Sequence, residues 1–262
     1  MGRGGRVVDT VHGGPPVREL VGTVADGLGI ADKIFWSTGL LAAGGPPPAP
    51  GGPPPKVDAA AVRAEMERLF AAFKVPAIDL IQVFAHADLP THLAVLREMK
   101  KEGRVRYIGV TDLLPPPNMP APPDMGVPRL ASLMRNEELD FVGFDYSAGD
   151  RRAEETLLPL AQERKIGVMA YFPFDRNRIF PRTGNTPLPD WAAEFDARTW
   201  AQFFLKYVVS HPAVTVARTG TSQAKHMLDN LAGGTGRLPD EATRQRMAEL
   251  VDSLPQAAGR GG

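Results

Sequence analysis

The chain has 262 residues, of which 43% are hydrophobic and 23% charged, a composition typical of a globular protein that can bury a core. Basic and acidic side chains both total 30, so no net charge points to nucleic acid or to an anionic membrane surface. The absence of cysteine excludes disulfides and thiolate chemistry, and we expect no metal site. No apolar run approaches the roughly 20 residues of a membrane span, and no signal-peptide pattern is present, so we expect a soluble, cytoplasmic protein.

Seven short runs rich in β-branched residues predict β-strands. Several of these runs are almost continuously apolar, which is typical of parallel strands buried on both faces. The runs are 6–10, 33–38, 78–84, 106–111, 141–147, 166–172 and 214–219.

Amphipathic stretches lie between the strands and predict helices. The first ends on Gly29 and the third on Gly103, both good helix stops, and Asp240 is a suitable N-cap for the last. The stretches are 17–29, 59–73, 91–103, 153–165, 200–211 and 240–254. This alternation of strands and helices predicts an α/β fold, the (β/α)8 TIM barrel.

The strand count falls one short of the eight that a closed barrel needs. Since the chain begins directly with a strand, we expect a single domain over 1–254 that lacks the first β-α unit, followed by a flexible tail at 255–262. Two unpaired strand edges would favour self-association. The Pro-rich tracts 44–55 and 115–123 predict extended surface loops, which either have no function, act as a lid, or bind a proline-recognising module.

The first strand ends at an aspartate in the stretch VVDTVHGGPPVRELVG, residues 7–22. The C-terminal end of a barrel strand is where an α/β enzyme places catalytic groups, so Asp9 is a candidate catalytic residue. The turn that follows offers His12 but no tyrosine, serine or cysteine.

Three longer stretches resemble the aldo-keto reductase family. They are LREMKKEGRVRYIGVTD at 96–112, LDFVGFDYSAGDRRAEETLLPLAQERKIGVMAYFPF at 139–174, and the segment from PLPDWAAEF to KHMLDNL at 187–231. The resemblance implies a TIM barrel that binds NADPH along its C-terminal face and reduces aldehydes and ketones. It also implies a tetrad in which Tyr is the general acid, Lys lowers its pKa, Asp orients Lys, and His positions the carbonyl.

Only one tetrad member is present when the family pattern is carried over. The aspartate corresponds to Asp9, whereas the positions of Tyr, Lys and His correspond to Gly14, Gly39 and Phe84. A positioned acid is worth roughly 10²–10⁴ in rate, or about 3–5 kcal/mol of barrier. We therefore do not expect conventional turnover of a small carbonyl substrate.

Two histidines are the candidates for a substitute acid. His12 lies two residues before Gly14, and His86 lies two residues after Phe84, on the same side of the strand if the strand continued. Imidazole is a competent acid near neutral pH, and Asp9 could orient His12. The alternative is that both are ordinary loop histidines.

The resemblance also implies cofactor-binding residues. Thr111 and Asp112 match the pair that holds the nicotinamide carboxamide, Gly143 stands where the family has a glutamine, and Tyr171 matches the aromatic residue that stacks on the nicotinamide ring. Tyr171 could equally be a core aromatic at a strand end. The stretch GTSQAKHMLDN, residues 220–230, matches the adenosine-phosphate motif, in which a helix N-terminus binds phosphate.

Within that motif, His226 stands where the family has a basic residue that binds the 2′-phosphate, with Lys225 beside it. Asp229 and Asn230 fit the acidic-Asn pair that contacts adenine. The implied cofactor-binding residues of the motif are Gly220, Thr221, Ser222, His226, Asp229 and Asn230. Helix capping alone could explain the Thr-Ser pair.

Four hypotheses follow from these residues. The chain is an NADPH-dependent reductase with a non-standard acid, a non-catalytic relative that binds a nucleotide or a protein partner, or a truncated and decayed gene product. Glycosidase-type acid chemistry by Asp9, Asp112 and Asp145 is the fourth. Family resemblance supports the first, whereas the tetrad positions favour the second and third.

Overall fold

A computed structural model describes residues 4–40, 56–115 and 125–255. The described residues group into two compact units. One unit lies within 6–143, and the other lies within 144–255 together with residues 4–5.

The first unit alternates strands and helices. Strands β1 to β5 are hydrogen-bonded in chain order, and the register pairs Asp9 with Ser37, Gly39 with Gln82, and Phe84 with Thr111. This parallel pairing brings the C-terminal ends of the strands to one edge of the sheet. The elements are β1 (Val7–Asp9), α1 (Pro15–Gly27), β2 (Phe35–Leu40), α2 (Ala59–Phe73), β3 (Ile78–Phe84), α3 (Leu89–Lys101), β4 (Val105–Thr111), α4 (Val127–Asn136) and β5 (Phe141–Asp145), which ends in the second unit.

Local signals begin and end these helices. The Asp58 carboxylate accepts a hydrogen bond from the Ala60 amide and caps α2, while Gly103, at φ 74°, follows the end of α3. Between helices and sheet lies an apolar core in which the rings of Trp36 and Phe73 stack with centroids 4.8 Å apart.

The second unit continues the pattern from the end of β5. Its strands pair in the order β5, β6, β7, and Val168 of β6 is in parallel register with Val214 of β7. The side chains of Thr199 and Asp240 cap α7 and α9. The remaining elements are α5 (Leu157–Arg164), β6 (Gly167–Tyr171), α6 (Ile179–Thr183), a 3₁₀ helix (Asp190–Phe195), α7 (Trp200–Val209), β7 (Val214–Ala217), α8 (Ala224–Gly233) and α9 (Glu241–Ser253).

Within the described residues, the α/β fold with seven parallel strands is confirmed, with small shifts at element ends. Lys33 belongs to a 3₁₀ turn, and the second strand runs to Leu40, so Gly39 lies inside it. Helix α4 was not predicted, because it has only ten residues and a Pro-rich stretch precedes it. Residues 44–55, 116–123 and 256–262, which carry most of the loop and tail predictions, lie outside the described residues.

Candidate functional site

Asp9 ends β1 in a chain of buried hydrogen bonds. Its Oδ1 accepts from the Ser37 hydroxyl at 2.7 Å, and the Ser37 oxygen accepts from Gln82 Nε2 at 3.3 Å. Ser37 and Gln82 are fully buried on β2 and β3. One oxygen of the carboxylate is thus bound by a neutral hydroxyl. The polar residue Gln82 interrupts the apolar run IDLIQVF. This interruption is the sequence signal from which the chain of hydrogen bonds could have been predicted.

Gly39 lies next to the edge of the Phe84 ring. A Cβ built at Gly39 would lie 3.2 Å from Phe84 Cε2, 3.1 Å from the carbonyl oxygen of Val11 and 3.3 Å from a Val11 methyl carbon. These distances are tighter than most real Cβ contacts. The Gly39 carbonyl accepts a hydrogen bond from Arg18 Nη2 at 2.8 Å. A long side chain at Gly39 therefore requires the Phe84 ring to move.

Gly14 is in a different situation. It immediately precedes α1 with extended backbone angles, φ −75° and ψ 176°. The nearest atom to a Cβ built there is Pro16 Cδ, at an ordinary contact distance of 3.8 Å. A side chain at this position is sterically possible, so the glycine is not required by the backbone.

His12 and His86 both contact Phe84. The ring centroids of His12 and Phe84 are 6.1 Å apart in an edge-on arrangement, and those of Phe84 and His86 are 5.5 Å apart. Strand β3 ends at Phe84, so His86 lies in a turn and not on a continued strand. The alternation argument for His86 therefore does not apply, although the turn still brings its imidazole beside the ring. Both histidines are exposed.

Thr111 and Asp112 follow one another at the end of β4. The Thr111 hydroxyl donates to the Gly143 carbonyl at 3.1 Å, and the Asp112 amide donates to the same oxygen at 3.1 Å. Burial raises the pKa of the Asp112 carboxyl, while Arg129 and His86 act in the opposite direction. Within the described residues, Asp112 Oδ2 has no hydrogen-bond partner. The Thr111 hydroxyl is thus used by the backbone, whereas one Asp112 oxygen remains available.

Tyr171 ends β6 in the second unit and is fully buried. The Arg218 guanidinium lies 6.0 Å from the centroid of its ring, at the edge of the cation–π range. The complete burial of Tyr171 favours the core-aromatic alternative.

A cavity of about 590 Å³ in the second unit contains most of the predicted adenosine motif. Phe174, Phe180 and Trp200 contribute aromatic walls. Ser222 is exposed and is not part of the lining. Five predicted residues line the cavity: Gly220, Thr221, His226, Asp229 and Asn230.

Two hydrogen-bonded contacts modify the predicted roles in this cavity. The Asp229 carboxylate accepts from the Thr199 hydroxyl at 2.9 Å and from Gln202 Nε2 at 2.7 Å, which ties α8 to the start of α7. The Thr221 hydroxyl accepts from the Gln223 amide at 3.1 Å, just before α8 begins. Asp229 is therefore partly engaged by the protein itself, while His226 stays exposed on the first turn of α8.

Two arginines that sequence reasoning missed line an adjoining cavity of about 240 Å³. Arg176 donates to Asp145 Oδ2 at 2.6 and 3.0 Å, and its guanidinium lies 4.4 Å from the Phe172 ring centroid. Arg218 is the second. The two cavities share Phe174, Asn177 and Gly220 in their linings, so cationic groups lie beside the adenosine motif.

Two features are absent from the part of the chain that the structure describes. Across residues 4–40, 56–115 and 125–255, no cluster of three or more His, Asp or Glu side chains could hold a metal ion. No helix in those ranges is both long enough and apolar enough to cross a membrane.

Parallel strands alternating with helices, with polar residues at the strand ends, define the α/β class of barrel-type proteins. The model of the aldo/keto reductase family matches residues 13–249, so this chain belongs to that family. An NADH-specific methylglyoxal reductase from Escherichia coli is 31% identical over 87 residues, which is 33% of this chain and 23% of that protein. The aligned segment thus spans about a quarter of that relative's length.

Solved structures of the family share the fold over nearly the whole chain. The apo form of an aldo-keto reductase from Bacillus halodurans has a TM-score of 0.67 at 17% identity, covering 99% of this chain and 85% of that one. An aldo-keto reductase from Klebsiella pneumoniae in complex with NADPH has a TM-score of 0.70 at 21% identity, covering 97% and 82%. These structural similarities show that the chain shares the (β/α)8 fold of these reductases.

Proposed function

We propose that this chain is a non-catalytic member of the aldo-keto reductase family that binds NADPH but does not reduce carbonyls by the conventional route. The observation that carries the proposal is the Phe84 ring packed 3.2 Å from the position of a Gly39 Cβ. The family's lysine and histidine positions are thereby replaced together by a glycine and by the aromatic ring that fills the space above it.

The chemistry of carbonyl reduction explains why the missing tetrad side chains would lower the reaction rate. A hydride delivered to a carbonyl carbon leaves an alkoxide that needs a proton, and a positioned acid contributes roughly 10²–10⁴ in rate. Gly14 and Gly39 have no side chain, and Phe84 cannot donate a hydrogen bond. Asp9 is engaged by the Ser37 hydroxyl and has no lysine at position 39 to orient.

The cavity around Thr221 and His226 is the part of the chain that fits the adenosine end of the cofactor. Aromatic walls suit an adenine ring, and the start of α8 presents unbonded amides to a phosphate. Trp200 lines the cavity and is a suitable stacking partner. A bound cofactor would be able to supply a hydride, but this chain lacks the acid that would protonate the resulting alkoxide. The NADPH held by the Klebsiella pneumoniae relative is consistent with this proposal.

Direct binding tests the nucleotide half of the proposal. NADPH titrated into the full chain and followed by its fluorescence should saturate, and His226→Ala should weaken binding by roughly tenfold for the loss of one phosphate contact. Lys101→Ala, an exposed cation on α3 of the other unit, is the matched control and should bind as the wild type does. Absence of saturable binding by the wild type would contradict the proposal.

A turnover assay tests the catalytic half of the proposal. With methylglyoxal as a reactive substrate, the wild type should consume no NADPH above background. Gly39→Lys alone should not create activity, because its side chain would press on the Phe84 ring and on Val11 and the general acid would still be missing. Only a triple variant, Gly14→Tyr with Gly39→Lys and Phe84→His, supplies all three missing groups and is expected to gain measurable turnover. Efficient reduction by the wild type would refute the non-catalytic assignment.

A specific observation supports one alternative, a reductase that uses a histidine as acid. Both His12 and His86 contact Phe84, at the same edge of the sheet as Asp9. If the wild type reduces an aldehyde and either His12→Ala or His86→Ala abolishes turnover while NADPH still binds, this alternative replaces the non-catalytic assignment.

A further inference from the structure

The cavity of about 590 Å³ beside α8 presents aromatic side chains that are partly exposed. Phe174, Phe180 and Trp200 line it, and each of them is only half-buried. The indole N–H of Trp200 donates to the Thr186 carbonyl at 3.1 Å, so this ring is held in place before a ligand arrives. A fixed aromatic ring that is partly exposed is a platform on which a purine base can stack.

Polar groups in and beside this cavity suit the rest of an adenosine phosphate. Asn230 lines the cavity at 9% exposure, and in the part of the chain that the structure describes its side chain has no hydrogen-bond partner. A side-chain amide both donates and accepts, as the edge of an adenine base does. Lys225 and His226 are exposed on the first turn of α8, which has no acidic residue, and Arg176 and Arg218 line the adjoining cavity. Basic groups of this kind bind phosphates.

The residues predicted to hold the nicotinamide ring are in the opposite situation. Tyr171, the predicted stacking residue, is fully buried and presents no exposed face to a second ring. The Thr111 hydroxyl already donates to the Gly143 carbonyl at 3.1 Å, and Gly143 has no side chain with which to bind a carboxamide. Asp112 Oδ2 has no hydrogen-bond partner within the described residues, but this oxygen is itself buried. Asp112 is therefore the residue at which contact with the ring has to be tested.

We infer that the chain recognises the phosphorylated adenosine half of its nucleotide and not the nicotinamide ring. This inference rests on the proposed function, because it concerns the same nucleotide. The ligand class is then a 2′-phosphorylated ADP-ribose, with or without a nicotinamide in either oxidation state. A ring that gains no contacts adds nothing to the affinity, since the surplus of favourable contacts over the costs of binding sets the affinity. Such a chain binds NADP and NADPH alike, and so responds to the size of that pool and not to its redox state.

Isothermal titration calorimetry of the full chain with NADPH, NADP and 2′-phospho-ADP-ribose tests the inference. The last of these ligands is NADP without its nicotinamide ring. The three dissociation constants should agree within about threefold, and reduced nicotinamide mononucleotide should not bind. If NADPH does not bind, the proposed function fails and the inference fails with it. If NADPH binds but 2′-phospho-ADP-ribose binds more than about threefold more weakly, the inference alone is overturned.

Variants at the two ends of the nucleotide locate the contacts. Trp200→Ala should weaken NADPH and 2′-phospho-ADP-ribose equally, by roughly tenfold or more, because it removes an aromatic face from the adenosine cavity. Trp200→Phe keeps such a face and should retain most of the affinity, which separates stacking from a loss of fold. Asp112→Ala should leave the ratio of the two dissociation constants unchanged, and a loss of fold does not alter this ratio. If Asp112→Ala weakens NADPH roughly tenfold more than 2′-phospho-ADP-ribose, the ring is contacted and the inference is refuted.

Discussion

Gly22 is the point of closest approach between α1 and α2, and its replacement by alanine is a sharp test of the first unit's packing. A Cβ built at Gly22 would lie 2.0 Å from the Ala72 carbonyl oxygen and 2.8 Å from Phe73 Cα. Both atoms belong to the backbone of α2 and cannot rotate away. The two helices would have to separate by more than an ångström along their contact.

The magnitude of the effect follows from two opposing contributions. Alanine favours a helix over glycine by about 1 kcal/mol, whereas overpacking a tight contact costs about 1–3 kcal/mol and occasionally more. Because the clash is with backbone, we take the upper end and expect Gly22→Ala to lower the free energy of unfolding by about 2–3 kcal/mol. For a chain of this size, that corresponds to a loss of roughly 4–12 °C in Tm.

Gly27→Ala is the matched control, because it makes the same substitution in the same helix. Nothing lies within 4 Å of a Cβ built at Gly27, so this variant should gain roughly 0.5–1 kcal/mol. Urea denaturation followed by circular dichroism compares the two variants with the wild type. If Gly22→Ala is as stable as Gly27→Ala, the close contact between α1 and α2 at Gly22 is refuted.

Two further predictions concern buried ionisable groups. Lys206 is fully buried, and its Nζ donates to the carbonyls of Thr235 and Arg237 at 2.5 and 2.9 Å. Because Lys206→Met leaves both carbonyls without that donor, it should lower the free energy of unfolding by about 1–3 kcal/mol. Urea denaturation measures the change, and a variant as stable as the wild type would contradict this prediction. Burial raises the pKa of Asp112, so its contribution to stability falls as the pH rises from 3.8 through the folded-state pKa. Asp112→Asn should therefore be more stable than the wild type at neutral pH, with the difference closing below pH 3.8. A difference that stays constant with pH would exclude ionisation of Asp112 as its cause.

Much of the fold was predictable because its signals are local. The run IDLIQVF predicts a strand over 78–84, and the structure has Ile78–Phe84. The N-caps of α2 and α9 are aspartates next to amphipathic runs, which is a short-range pattern. Helix α4 was missed because its hydrophobic face is short and its start is next to prolines.

The candidate site was only partly predictable. The sequence predicts the replacements at Gly14, Gly39 and Phe84 from the order of residues after each strand, because each tetrad position has its own place in the chain. Five of the predicted adenosine residues line one cavity, since they come from a single short segment whose geometry is local.

The sequence by itself therefore determined the family and the order of strands and helices, and it predicts which residues stand at the tetrad positions. The tertiary structure decided which side chains surround those positions. The Phe84 ring lies beside Gly39. The Ser37 hydroxyl donates to Asp9 and accepts from Gln82, while Thr199 and Gln202 donate to Asp229. These contacts depend on strand register and helix packing between segments distant in the chain, and such long-range pairings leave no periodic or local signal.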